Sequence, residues 1–89
     1  MDAGEIRAIL AGGLEAGAVQ EINDVETRDA FLAGRIDLPF AELSMDSLAR
    51  MELCIAIEVG TGVSLAPEDL AKYESVGALA AMLVERLRA

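Results

Sequence analysis

Apolar residues recur along this chain every three or four positions, the spacing that lines one face of an α-helix. From Asp2 to about Gly17, Ile6, Ile9, Leu10 and Leu14 keep that period. Gly12, Gly13 and Gly17 weaken this first helix, and Gly17 offers a stop. A second clear helix opens at Asp46 or Ser47. Leu48, Met51, Ile55 and Val59 form its expected core-facing stripe, Cys54 and Ile57 widen it, and Gly60 and Gly62 end it. In "VSLAPEDLAKY", Pro67 suits the first position of a short helix, and Glu68 and Asp69 favour its positive end. Ser75 then caps a last helix in which Val76, Leu79, Leu83, Val84 and Leu87 keep the apolar period. Arg86 and Arg88 sit in its final turn, the correct sign for the negative end. No strand pattern competes.

The stretch 18–39 is harder to assign. Val19, Ile22, Val25, Phe31, Leu32, Ile36 and Leu38 are too many large apolar residues for a solvated linker, so an ordered loop across the core is expected. Thr27 or Asp24 can cap a short helix running to Gly34, with Phe31 and Leu32 pointing inward. Pro39 stops any helix there, because the residue before proline avoids helical angles.

Length and composition narrow the picture. At 89 residues, a single domain over 1–89 with a modest core is expected. The interior must be built from Leu, Ile, Val and Met, since there are two Phe, one Tyr and no Trp. Seven basic residues against 16 acidic ones give a formal charge of −9. That argues against nucleic acid, whose phosphates need Lys and Arg, and against anionic membrane surfaces. It favours partners with positive patches, met by long-range steering. Cys54 stands alone among apolar neighbours and reads as an inert core side chain. No basic n-region with an apolar core opens the chain, so no signal peptide is expected, and the longest uncharged apolar run, Val76 to Val84, is far too short to span a bilayer. A cytoplasmic monomer is expected.

Candidate chemistry centres on "FAELSMDSLARMEL", Phe40 to Leu53. A nucleophilic serine needs a base, and the chain has no histidine; its sole lysine, Lys72, falls in the short helix. The spacing Gly-x-Ser-x-Gly is absent around Ser47, no Gly-rich phosphate loop precedes a helix, and Cys and carboxylate spacing fits no metal site. Intrinsic catalysis is not expected. Ser47 has two other readings. One is a helix cap in a small acidic helical interaction module. The other is a hydroxyl offered to a separate enzyme, since free N–H groups and the helix dipole favour a phosphate at that position.

The extended pattern resembles the phosphopantetheine attachment site of acyl carrier proteins and the related peptidyl carrier proteins. Phe40, Glu42, Leu43, Asp46, Ser47, Leu48, Glu52 and Leu53 fall on its positions, and "VSLAPEDLAKYESVGALAAML" is similar to the family's later helices. The resemblance implies an all-α four-helix bundle with a long first loop and a short third helix. It implies a free-standing carrier whose 4′-phosphopantetheine, on Ser47, holds acyl or aminoacyl groups as thioesters for acyltransferases, ligases or synthases. Ser47 would receive the arm from coenzyme A through a phosphopantetheinyl transferase. Asp46 would help position the metal of that reaction, and Leu48 would serve both core and transferase. Glu52, Glu58, Arg50 and Met51 would meet partners. Ser44 stands where glycine is usual, so the turn before Asp46 is expected to differ. Ala49, Arg50, Gly60 and Thr61 make the partner-facing helix less acidic than in fatty-acid members, which implies polyketide or nonribosomal secondary metabolism.

Overall fold

The computed structural model describes residues 1–88, and its regular structure among them is helical. Four α-helices run over α1 (Ala3–Ala16), α2 (Val25–Leu32), α3 (Ser47–Thr61) and α4 (Val76–Arg88), with 3₁₀ turns at Gln20–Asn23, Phe40–Glu42 and Pro67–Lys72. This is the expected all-α bundle with a long first connection. That connection, between α1 and α3, contains α2, and the short third helix of the expectation is the 3₁₀ turn Pro67–Lys72.

Short polar side chains set the helix starts. Asp2 Oδ1 accepts from the Glu5 N–H at 2.8 Å, and the Glu5 carboxylate returns to the Asp2 N–H at 3.3 Å, a reciprocal pair that satisfies two otherwise unpaired donors. Asp24, not Thr27, caps α2, accepting from the Thr27 N–H at 3.2 Å and its hydroxyl at 2.6 Å. Ser75 Oγ accepts from the Ala78 N–H at 3.0 Å and so caps α4. At the other end of α1 the chain turns by a left-handed residue, which is Ala18 at φ 58° and not Gly17. The Val19 N–H reaches the Leu14 carbonyl and the Ala18 N–H the Glu15 carbonyl, each at 3.0 Å, closing the helix end.

All four helices meet in one apolar core. Ile6, Leu10 and Leu14 of α1, Phe31 of α2, Leu53 and Ile57 of α3, and Leu79 and Leu83 of α4 are fully enclosed. From the first connection Val19, Ile22 and Leu38 are buried too, whereas Val25 and Ile36 are exposed, so only part of that apolar stretch crosses the core. Cys54 is buried, and burial, helped by the charges of Asp69 and Glu68, pushes its thiol above the usual range.

The orientation of α3 departs from the expectation. Its inward residues are Ala49, Leu53, Cys54 and Ile57, while Leu48, Met51, Ile55 and Val59 face solvent. The reason lies in α1. A Cβ on Gly13 would stand 2.9 Å from the Ala56 Cβ, and one on Gly17 would stand 2.8 Å from the Ala49 Cα. Helices that approach so closely need small residues on both sides, so the side of α3 carrying Ala49 and Ala56 turns to α1. The larger stripe is left outside. Leu48 therefore has no core role.

Among the described residues no helix is long and apolar enough to cross a membrane.

Candidate functional site

The segment before Ser47 is fixed from two directions. The Asp37 carboxylate accepts from the Ser75 hydroxyl at 2.6 Å and from the N–H groups of Gly77 and Leu38 at 2.7 Å each. Partial burial works against its charge. The hydrogen bonds from Ser75, Gly77 and Leu38, aided by the positive charge of Arg7, outweigh that and hold its carboxyl below the usual range. The Phe40 N–H reaches the Glu74 carbonyl at 3.0 Å and the Val76 N–H the Leu38 carbonyl at 2.9 Å, around an isolated antiparallel bridge of Pro39 with Ser75. The start of α4 thus anchors the chain that enters the motif.

The second fixture is at Ser44. Its N–H and its hydroxyl both donate to the Glu21 carboxylate, each at 2.9 Å. These bonds, the one from the Ser44 backbone first, together with one from Glu21's own N–H, hold that carboxyl below its usual range. Ala18 is the only non-glycine residue with positive φ among the described residues, so Ser44 occupies the glycine position without backbone strain. Through Ser44 the turn has a side-chain tie to the first connection. Neither Asp37 nor Glu21 stood out in the sequence, because their partners lie 38–40 and 23 residues away. Serine in place of glycine at position 44 was the one available signal.

From this fixed turn the chain enters α3 at Asp46, whose extended backbone (φ −94°, ψ −175°) and carboxylate make the cap, accepting from the Ala49 N–H at 2.7 Å. Ser47 is the first helical residue. Its side chain is exposed and makes no hydrogen bond among the described residues, so the reading of Ser47 as only a helix cap is corrected: Asp46 has that role. The N–H groups of Ser47 and Leu48 likewise have no protein acceptor among the described residues. The Ser47 oxygen thus stands at the positive end of a helix of 15 residues, beside those two backbone donors.

Beside Ser47 lies a groove of about 940 Å³ between the motif, α3 and the turn Pro67–Lys72. Phe40, Met45, Met51, Leu70 and Tyr73 supply much of its wall, and Arg50 is its only basic residue. On a helix at 100° per residue, Ser47, Arg50, Met51 and Glu58 fall on the groove side of the exposed stripe, and Glu52 falls on the other side. The structure thus gathers Asp46, Ser47, Arg50 and Met51 at one end of α3 and sets Glu52 and Glu58 along it. Glu58 is exposed, and Glu52 is half-buried.

An exposed hydroxyl with free donors beside it and an open groove next to it accommodates a long phosphate-linked arm. When bound, such an arm supplies a terminal thiol that carries an acyl group as a thioester. What the chain supplies is position: a serine held at a helix start by Asp46, Glu21 and Asp37, with space alongside.

Comparison with known families matches the phosphopantetheine attachment site over residues 16–83. No curated protein and no solved structure matches the chain. Proteins of that family carry 4′-phosphopantetheine covalently on a serine; they are not catalytic themselves and hold intermediates for partner enzymes. Since the match takes in the whole of the motif and well over half of the chain, this chain belongs to the phosphopantetheine-binding carrier family.

Proposed function

We propose that Ser47 is the attachment point of the arm, and that the chain carries acyl or aminoacyl intermediates in polyketide or nonribosomal secondary metabolism. The observation that supports Ser47 most is its freedom: Asp46 does the capping, so the serine oxygen stands exposed and unengaged at the first position of α3. In the loading step the Ser47 oxygen bonds to the phosphorus that bears the pantetheine arm. The hydroxyl proton leaves, and the nucleotide half of coenzyme A departs, giving a phosphodiester. Incubation with coenzyme A and a phosphopantetheinyl transferase adds one arm mass to the protein and none to Ser47→Ala. A normal gain in the alanine variant would exclude Ser47.

The outer face of α3 is the proposed docking surface for the transferase and for the acyltransferase, ligase or synthase that follows. Leu48 (62% exposed), Met51, Ile55 and Val59 (84% exposed) form an apolar strip with Glu52 on one flank and Glu58 on the other. With a net charge of −9 behind it, this face suits an apolar patch bordered by Lys and Arg. Glu52→Lys and Glu58→Lys slow loading of the arm at low salt and leave the fold intact. Unchanged rates in both would move the surface elsewhere. Of the four positions that make α3 less acidic, Ala49 and Gly60 turn to α1, so the secondary-metabolic assignment is supported by Arg50 in the opening turn and Thr61 at the end. Mass spectrometry of the loaded protein from its native producer identifies the cargo.

A further inference from the structure

Arg50 is poorly explained by docking to basic partners, since it has the wrong charge for that task. Its surroundings give it another. It lies three residues after Ser47, one turn along the same flank of α3, and both side chains border the same groove. Of the seven basic residues, Arg28, Lys72 and Arg88 pair with Glu15, Asp69 and Glu85. Arg7 donates to the Phe31 carbonyl at 2.9 Å and stacks on the Phe31 ring. Arg50 forms no ion pair among the described residues, although Glu68 and Glu74 border the groove with it. It is a free cation next to the serine, in a chain that otherwise repels anions.

We infer that Arg50 binds the phosphodiester formed on Ser47, directing the arm from α3 toward the groove. The inference rests on Ser47 being the attachment point. Loading adds a negative charge to a chain already at −9, close to Asp46, Glu68 and Glu74. The free N–H groups of Ser47 and Leu48 offset part of that repulsion, and a guanidinium one turn away offsets more. Its planar fork matches two phosphate oxygens at once, which a lysine ammonium does not. The contact is intramolecular and needs no rearrangement of the helix.

The test compares wild-type protein, Arg50→Lys and Arg50→Gln, each loaded to completion with coenzyme A and a transferase and checked by mass. The readouts are the phosphorus NMR resonance of the phosphodiester and the Arg50 Nε–H resonance before and after loading. In the wild type the Arg50 resonance shifts on loading. The phosphorus resonance differs from that of Arg50→Gln, the difference shrinks at high salt, and Arg50→Lys lies between the two. An Arg50 resonance that stays put, with one common phosphorus position in all three proteins, overturns the inference and leaves Ser47 as the attachment point. Failure of the wild type to gain mass, or a gain by Ser47→Ala, overturns the attachment reading and the Arg50 contact with it. Arg50 is exposed, and thermal unfolding of the unloaded variants shows that both are folded before the spectra are compared.

Discussion

The two long sides of α3 are both apolar, and they do opposite things. The inner side presents Ala49, Leu53, Ala56, Ile57 and Gly60 to α1, with Leu53 and Ile57 fully buried. The outer side presents Leu48, Met51, Ile55 and Val59 to solvent. Counted by side-chain size the outer stripe is the more hydrophobic, yet it is the one left wet. Shape decides this. Gly13 and Gly17 cut a shallow notch in α1, a Cβ on Gly60 would stand 2.8 Å from Ile9, and only the side of α3 with small residues fits so near. Close contact over that length gathers more dispersion and burial than a wider gap filled by larger side chains. The outer stripe is then free to meet another protein.

The strongest break in the comparison is at the inner side. Leu53→Ala removes a fully buried side chain from the α1–α3 contact and is expected to cost about 2–5 kcal/mol, read by urea unfolding. Gly17→Ala comes next. Its new methyl lies 2.8 Å from backbone at Ala49, which cannot swing aside, so the helices must part. About 1–3 kcal/mol of destabilisation is expected despite alanine's better helix propensity. A neutral or stabilising Gly17→Ala would show that the notch is not what orients α3.

Polar ties hold the outer stripe's leading end, and they respond to acid. Asp37 and Glu21 both have folded-state carboxyls below their ordinary range. A lowered folded pKa gives stability that is fully present above the unfolded value, near 4 for such groups, and is lost as pH falls through the folded value. Asp37→Asn is therefore expected to cost about 1 kcal/mol at neutral pH. That cost shrinks as pH falls below the unfolded value and through the lowered folded one, where the wild type's own carboxylate protonates. Thermal unfolding of both proteins across pH 3–7 checks it; a gap that stays constant with pH would mean the charge of Asp37 plays no part.

Local signals made much of this legible from sequence. Asp2, Asp46 and Ser75 mark helix starts because capping needs only a short acceptor and the next three residues. The attachment motif is legible for the same reason, being one turn and one helix start. The facing of α3 was not, since a period of 3.6 shows that a stripe exists and not which of two stripes meets a neighbour. The answer was written in another helix, as Gly13 and Gly17 set against Ala49 and Ala56. The ties from Glu21 to Ser44 and from Asp37 to Ser75 escaped because nothing local links residues 23 and 38 positions apart. Gly17 shows a right place for another reason: α1 does end there, but the left-handed residue is Ala18.

Leu48 gives the smallest stability effect and the sharpest test of the outer side. The sequence pattern put it in the core, where Leu→Ser would be among the costlier changes; the structure leaves it 62% exposed, next to Ser47. Serine suits the first turn of a helix, so Leu48→Ser is expected to shift unfolding by no more than about 0.5 kcal/mol. If the outer strip meets the transferase, the same change uncovers a contact close to the reacting oxygen. Loading then slows about five-fold, roughly 1 kcal/mol, in kcat/KM for the carrier. The pair of measurements separates the two sides of the helix: Leu53→Ala lowers stability, whereas Leu48→Ser lowers the loading rate of a carrier that is still folded. A Leu48→Ser protein that loads at the wild-type rate would leave the outer stripe without a partner, and its exposure without a purpose.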